Sequence, residues 1–168
     1  MMSTSGHFNS RGNMGFLREK YDRNRLAGEK LIGAEFEMSF EGFPNISVLV
    51  RSAQMPEMAR QDVEDVGPMG LLFNQHGALK NSGEIQVQCV ETITGDVSAM
   101  VIALVKTKNY VNITIRATPE SMAGAGPSSL TRRMSDCKIY CDQVDMSTED
   151  NAALVRPSLR IVYNWVDL

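Results

Sequence analysis

Apolar and polar residues alternate along five segments of this chain and fall on a helical stripe in a sixth. Phe36, Met38 and Phe40 alternate with Glu35, Glu37, Ser39 and Glu41, the period-two signature of a half-buried strand. Gly42, Pro44 and Asn45 break the pattern. Ile46 to Ser52 is more evenly apolar and predicts a second strand, paired with the first as a hairpin. Ile85, Val87 and Cys89 oppose Glu84, Gln86 and Gln88 in a strand that ends near Glu91. Thr94-Gly95-Asp96 then offers N-cap chemistry ahead of Val97, Met100, Val101, Leu104 and Val105, whose spacing predicts a helix over Asp96 to Thr107. Tyr110 to Thr118 alternates again, until Pro119 closes it. Asp136 to Val144 predicts a strand with Cys137, Ile139 and Cys141 inward, and Leu159, Ile161, Tyr163 and Trp165 predict a terminal one.

Two stretches lack such a pattern. Residues 1–33 are punctuated by glycines, with one weakly helical stretch from Phe16 to Arg25, and read as an N-terminal arm. Residues 53–83 are interrupted by Pro56, Gly67, Pro68, Gly70 and Gly77 and made acidic by Glu57, Asp62, Glu64 and Asp65. They read as a long loop, with Val63 and Val66, or Gly70 to Asn74, available for a short strand. Unstructured loops of this length are uncommon inside a compact domain and usually have a task. Folding onto a partner is the task expected here.

The predicted fold is mainly β. It is an antiparallel β-barrel or sandwich of about six or seven strands with one flanking α-helix, formed by residues 34–168. A flexible connection over 120–131 and a second over 145–157 complete it. The length of 168 residues and the 43% hydrophobic content suit one domain with its own core. The most apolar uncharged stretch, Val97 to Val105, falls well short of the ~20 residues that span a bilayer, so no membrane partner is expected. The polar start of the chain has no apolar signal core, which gives synthesis in the cytoplasm as the expectation.

Charge is unevenly placed. Residues 1–34 hold Arg11, Arg18, Lys20, Arg23, Arg25 and Lys30 against Glu19, Asp22 and Glu29, a balance of +3, so the rest of the net −3 chain carries −6. A basic arm on an acidic body suits either nucleic acid or the body of a neighbouring copy. Glu35, Glu37, Glu41, Glu84, Gln86 and Gln88 are expected on one side of adjacent strands with few opposing bases. That face is either an ordinary wet surface or one that lets a polyanion pass without gaining counterion-release binding.

Catalytic chemistry is sparse. His7 and His76 read as surface residues and not as bases for a nucleophile. The Gly124 to Ser129 loop lacks the lysine and the following helix of a phosphate cradle. Asp62, Glu64 and Asp65 do not have calcium-loop spacing. Cys137 and Cys141 are roughly 13 Å apart on a strand, too far for a mutual disulfide. With Cys89 they read as buried thiols, and no zinc set can be assembled. No enzyme activity, metal or cofactor is expected.

The run Phe36-Glu37-Met38-Ser39-Phe40-Glu41-Gly42, then Ser47-Val48-Leu49-Val50-Arg51-Ser52-Ala53-Gln54-Met55-Pro56, resembles the opening of bacteriophage tail tube proteins. The later helix Asp96 to Thr107 and the strand Leu159 to Trp165 follow in that family's order, so the resemblance spans about residues 34–168. It implies a structural virion protein of the contractile-tail type, related in fold to type VI secretion inner tubes. Hexameric rings would stack into a tube that conducts DNA during ejection, assembled in the host cytoplasm and carried in the virion tail. Sheath, tape-measure and baseplate proteins would be partners, and DNA would pass without specific binding. On this reading Glu35, Glu37, Glu84, Gln86 and Gln88 face the lumen. Arg18, Arg23, Arg25, Met55, Met58, Asp62, Glu64, Met69 and Phe73 make contacts between subunits. Two alternatives stay open: a baseplate, connector or secretion-tube subunit of the same fold, and a small β-barrel ligand-binding protein.

Overall fold

The computed structural model describes residues 11–168. His7 and the rest of the first ten residues of the predicted arm lie outside them. The chain divides into two units, Met1–Gly33 and Ala34–Leu168.

The described residues of the first unit hold one helix, α1, over Met14–Leu26. Asn13 caps it, its Oδ1 accepting from the Phe16 amide at 3.1 Å. Arg23 and Arg25 in the last turn suit the negative end of the helix dipole. Pairs at helical spacing, Arg18 with Asp22 (3.3 Å) and Arg23 with Glu19 (2.7 Å), support it locally. None of its residues is buried.

The second unit is built around one sheet. Its strands are β1 (Phe36–Phe40), β2 (Val50–Ser52), β5 (Gly83–Cys89), β6 (Val111–Ala117), β7 (Thr131–Cys141), β8 (Ser158–Tyr163) and β9 (Trp165–Asp167). A separate hairpin consists of β3 (Arg60–Val66) and β4 (Leu72–Leu79), and α2 spans Asp96–Thr107. The sheet runs in the order β1-β6-β7-β8-β5-β2, antiparallel throughout, with β9 also on β7. The predicted mainly β, antiparallel architecture with its flanking helix is therefore what the chain forms.

β7 is long enough to serve both halves of the sheet. Its first part, up to Cys137, pairs with β6, and its last four residues pair with β8. Asp136, at φ 53, sits near the end of the first part, where the register with β6 slips. The bulge bends the strand and folds the sheet over its own core. Asn112 Oδ1 accepts from the Asp136 amide at 3.2 Å, and Asn164 Nδ2 donates to the Asp136 carbonyl at 2.7 Å. Inside lie Met38, Phe40, Ile85, Val87, Ile113, Ile115, Met134, Ile139, Leu159, Ile161 and Tyr163, all buried, against Val97, Met100, Val101 and Leu104 of α2.

Several local expectations are corrected. Residues 46–52 do not form a hairpin with β1. Pro44–Leu49 is a 3-10 turn, and only Val50–Ser52 is a strand, which pairs with β5. Pro44 fixes φ at the start of that turn, and Phe43, Ile46 and Leu49, three apart, pack one side of a three-residue-per-turn helix on the core. The α2 cap comes from Glu91 and not from Thr94: Gly95 holds φ 71 with no side-chain cap bond at that position. Glu91 accepts from the amides of Thr92 (3.0 Å), Val97 (3.1 Å) and Ser98 (2.9 Å) and from the Ser98 hydroxyl (2.6 Å).

Parity changes at the end of the chain. Asn164 inserts one residue between β8 and β9, so Val166 is buried and Trp165 is turned out. Cys141 shares the inward side of β7 but lies at the rim and is exposed, whereas Cys89 and Cys137 are buried. β7 also begins earlier than expected, at Thr131.

Candidate functional site

The stretch 53–83, expected as a long loop, is a hairpin on a short stalk. β3 and β4 pair in register from Asp62↔His76 to Val66↔Leu72, with a bulge near their base. Gly77 sits in that bulge, where a Cβ would come within 2.8 Å of Val63 Cγ2 and 2.9 Å of the Gln61 carbonyl oxygen. The turn closes by the Gly67 amide donating to the Leu71 carbonyl at 2.7 Å, and Met69 (φ 60) and Gly70 (φ 75) supply the left-handed backbone. At the base, Lys80 Nζ lies 3.6 Å from Glu57, and Arg60 Nη1 donates to the Gly77 carbonyl at 3.2 Å.

Every residue of β3 is exposed, as is all of β4 except the half-buried Gly77 and Leu79. Yet the tip is apolar: Val66, Met69, Leu71, Leu72 and Phe73 all stand in solvent, Met69 at 99% of full exposure. Below the tip, Asp62 and Glu64 share one face with His76 and Asn74, and Asp65 shares the other with Phe73. None of these three carboxylates is in a salt bridge among the described residues. A two-stranded ribbon is marginal in water alone, and exposed apolar clusters rimmed by charge mark contact surfaces.

The residues expected to make contacts between subunits fall in two places. Met55, Met58, Asp62, Glu64, Met69 and Phe73 are brought together on the hairpin and its stalk, all exposed. Arg18, Arg23 and Arg25 are exposed on α1, where Asp22 and Glu19 neutralise them in part. Sequence reasoning passed over Val66, Leu71 and Leu72, although Leu71-Leu72-Phe73 directly after a glycine is the signal.

Arg132 stands at the stalk. It is the buried charged residue of the described chain, 8% exposed, with Nη1 donating to the carbonyls of Ser129 (2.7 Å) and Thr131 (2.9 Å) and Nη2 donating to Met58 Sδ at 2.9 Å. Its Nε has no partner among the described residues. The guanidinium thus ties the stalk of the hairpin to the start of β7.

The expected lumen residues come from strands that are not neighbours in the sheet. Glu35 and Glu37 belong to the β1 end of the sheet and Glu84, Gln86 and Gln88 to β5, with β6, β7 and β8 between. Nor are they unopposed, as the sequence suggested. Arg116, the register partner of Glu37, lies 3.2 Å from it, while Arg133 lies 3.9 Å from Glu41 and Arg160 3.8 Å from Glu84. Glu35 Oε2 accepts from the Glu120 amide at 2.9 Å. Gln86 donates its side-chain amide to Glu84 (3.1 Å) and its backbone amide to Gln54 Oε1 (3.0 Å), so a side chain stands in for the ladder where β2 has ended. Gln88 pairs through its backbone with β2 and β8.

Among the described residues no group of three His, Cys, Asp or Glu is arranged to hold a metal, and no helix is long and apolar enough to cross a membrane. Burial pushes the thiols of Cys89 and Cys137 up to about 12. His76 lies on the exposed hairpin opposite Asp62.

No family model and no curated protein matches the sequence. Solved structures do match. A chain of the sheath-tube complex of an extracellular contractile injection system, PVC, in its extended state superposes with a TM-score of 0.64 at 15% identity. The match covers 86% of this chain and 95% of that one. The fold resembles that of contractile injection system sheath and tube proteins. A chain of the PVC sheath/tube terminator gives 0.65 at 14% identity, over 83% of this chain and 96% of that one. One from the tube-terminating cap of the anti-feeding prophage gives 0.60 at 12%, over 83% and 90%. Each is covered nearly end to end, so the likeness is of whole domains.

Proposed function

We propose that this protein is the tube subunit of a contractile assembly. Copies join into hexameric rings, the rings stack, and the tube conducts its cargo inside a sheath. The observation that carries the reading is an exposed apolar hairpin on a domain whose fold matches chains of sheath-tube, terminator and cap structures. Such a ribbon gains a cover by lying on another copy. The surface it meets differs from itself, so the contact is heterologous, the kind that closes rings or propagates filaments. The ends of the sheet, β1 and β2, supply free edges for strand pairing between protomers.

The role needs neither a catalytic group nor a cofactor. Its partners are a sheath, a tape-measure and a baseplate protein, and the chain is assembled in the cytoplasm of the producing cell. The lumen is lined by Glu35, Glu37, Glu84, Gln86 and Gln88. Among these, Glu37 and Glu84 are balanced by arginine, which holds a polyanion weakly. The matching chains of sheath-tube and terminator structures belong to an extracellular contractile injection system, which favours an injection tube beside the DNA conduit of a phage tail. Sedimentation of the full chain tests the reading: discrete hexamers and larger stacks support it, and a strictly monomeric species at high concentration overturns it.

A further inference from the structure

Two apolar recesses open beside α2. One, about 270 Å³, lies between Gly42–Ile46 and the first half of the helix and includes Asp96. The other, about 240 Å³, lies between the C-terminal end of α2 and the second part of β7. Leu104, Val105, Tyr110 and Ile139 line it, together with Lys108 and Lys138. Neither lysine is in a salt bridge among the described residues. Ile102, one turn away on α2, is also exposed and extends the apolar surface beyond the recess. A helix apolar on its outer as well as its inner side expects a second cover.

We infer that the hairpin tip of a second copy of this chain seats in the recess between α2 and β7, with its carboxylates toward Lys108 and Lys138. The inference rests on the tube reading and names the surface that receives the hairpin. Both parts come from the same chain and are complementary in kind. The tip offers Val66, Met69, Leu71, Leu72 and Phe73, and the recess offers an apolar floor large enough for a side chain. Below the tip stand three carboxylates, and flanking the recess two ammonium groups, all outside any salt bridge among the described residues, with Lys138 Nζ 5.9 Å from the Tyr140 ring. The first recess is excluded by sign, because Asp96 would meet Asp62, Glu64 and Asp65, and like charges across an interface cost several kcal/mol. Met69 fits the apex because an unbranched thioether adapts to an irregular pocket.

The test uses the full chain with Cys141→Ser. A Met69→Cys chain mixed with a Val105→Cys chain is expected to give a disulfide-linked heterodimer on mild oxidation, and neither chain alone is. Lys108→Glu/Lys138→Glu is expected to raise the concentration of half-assembly by about tenfold or more. An Asp62→Lys/Glu64→Lys/Asp65→Lys chain is expected to restore assembly when mixed with it. Circular dichroism melts check that each variant folds. Rings that form undiminished with both lysines reversed, and without the cross-link, overturn this contact while leaving the tube reading intact. A parent chain that never assembles overturns both.

Discussion

Gly83 faces the ring of Tyr163 across β5 and β8 and leaves it no room to spare. The two are register partners, and a Cβ at position 83 would lie 2.5 Å from the Tyr163 hydroxyl and 2.8 Å from Cζ. Tyr163 is buried and cannot swing away. Gly83→Ala is therefore expected to destabilise the domain by about 1–3 kcal/mol, the usual cost of overpacking. Urea unfolding measures it, and an unchanged midpoint would count against the packing described.

Glu91 ties the strand end to the helix, and its titration has a defined sign. Burial pushes its carboxyl up, but hydrogen bonds from Ser98, Thr92 and Val97 together outweigh that and hold it below the usual carboxylate range. A carboxyl lowered in the folded state contributes stability above its unfolded value, near pH 4, and loses it as pH falls through the folded value. Glu91→Ala is expected to cost about 1–2 kcal/mol at neutral pH, as loss of a helix cap does. The gap between parent and variant should shrink in acid. Thermal melts at pH 7 and pH 3 check both statements.

The three cysteines should separate by reactivity. Cys89 and Cys137 are buried, with thiols pushed to about 12, so essentially no thiolate exists at pH 8. Cys141 is exposed. Burial still raises its thiol, with Asp142 and Glu91 adding to the effect, so its reaction is slow but measurable. Titration with an aromatic disulfide reagent should count one thiol in the folded protein and three in denaturant. Two fast native thiols would contradict the core assignment.

What could be read from the sequence follows the environment of each element. β1, β5 and β6 have one face on the core and one in water, so their alternation is plain. α2 keeps its inward stripe for the same reason. The hairpin escaped because neither of its faces is buried in its own chain, and its apolar residues gather at the tip instead of alternating. Trp165 was misplaced by one inserted residue, Asn164, whose corner bonds no local pattern announces. The pairing of Glu37 with Arg116 joins residues 79 apart, which register decides and composition does not. Lys108 and Lys138, thirty residues apart, meet only because the end of α2 packs beside β7, which no local pattern announces.

The central claim is that the hairpin makes this chain an assembling one. Its most direct test is negative-stain electron microscopy of the purified full chain beside a variant in which residues 60–79 are replaced by a short Gly/Ser linker. The account predicts rings or tubes with a central channel from the full chain, and from the variant a folded domain that stays monomeric. Rings formed equally well without the hairpin would contradict it.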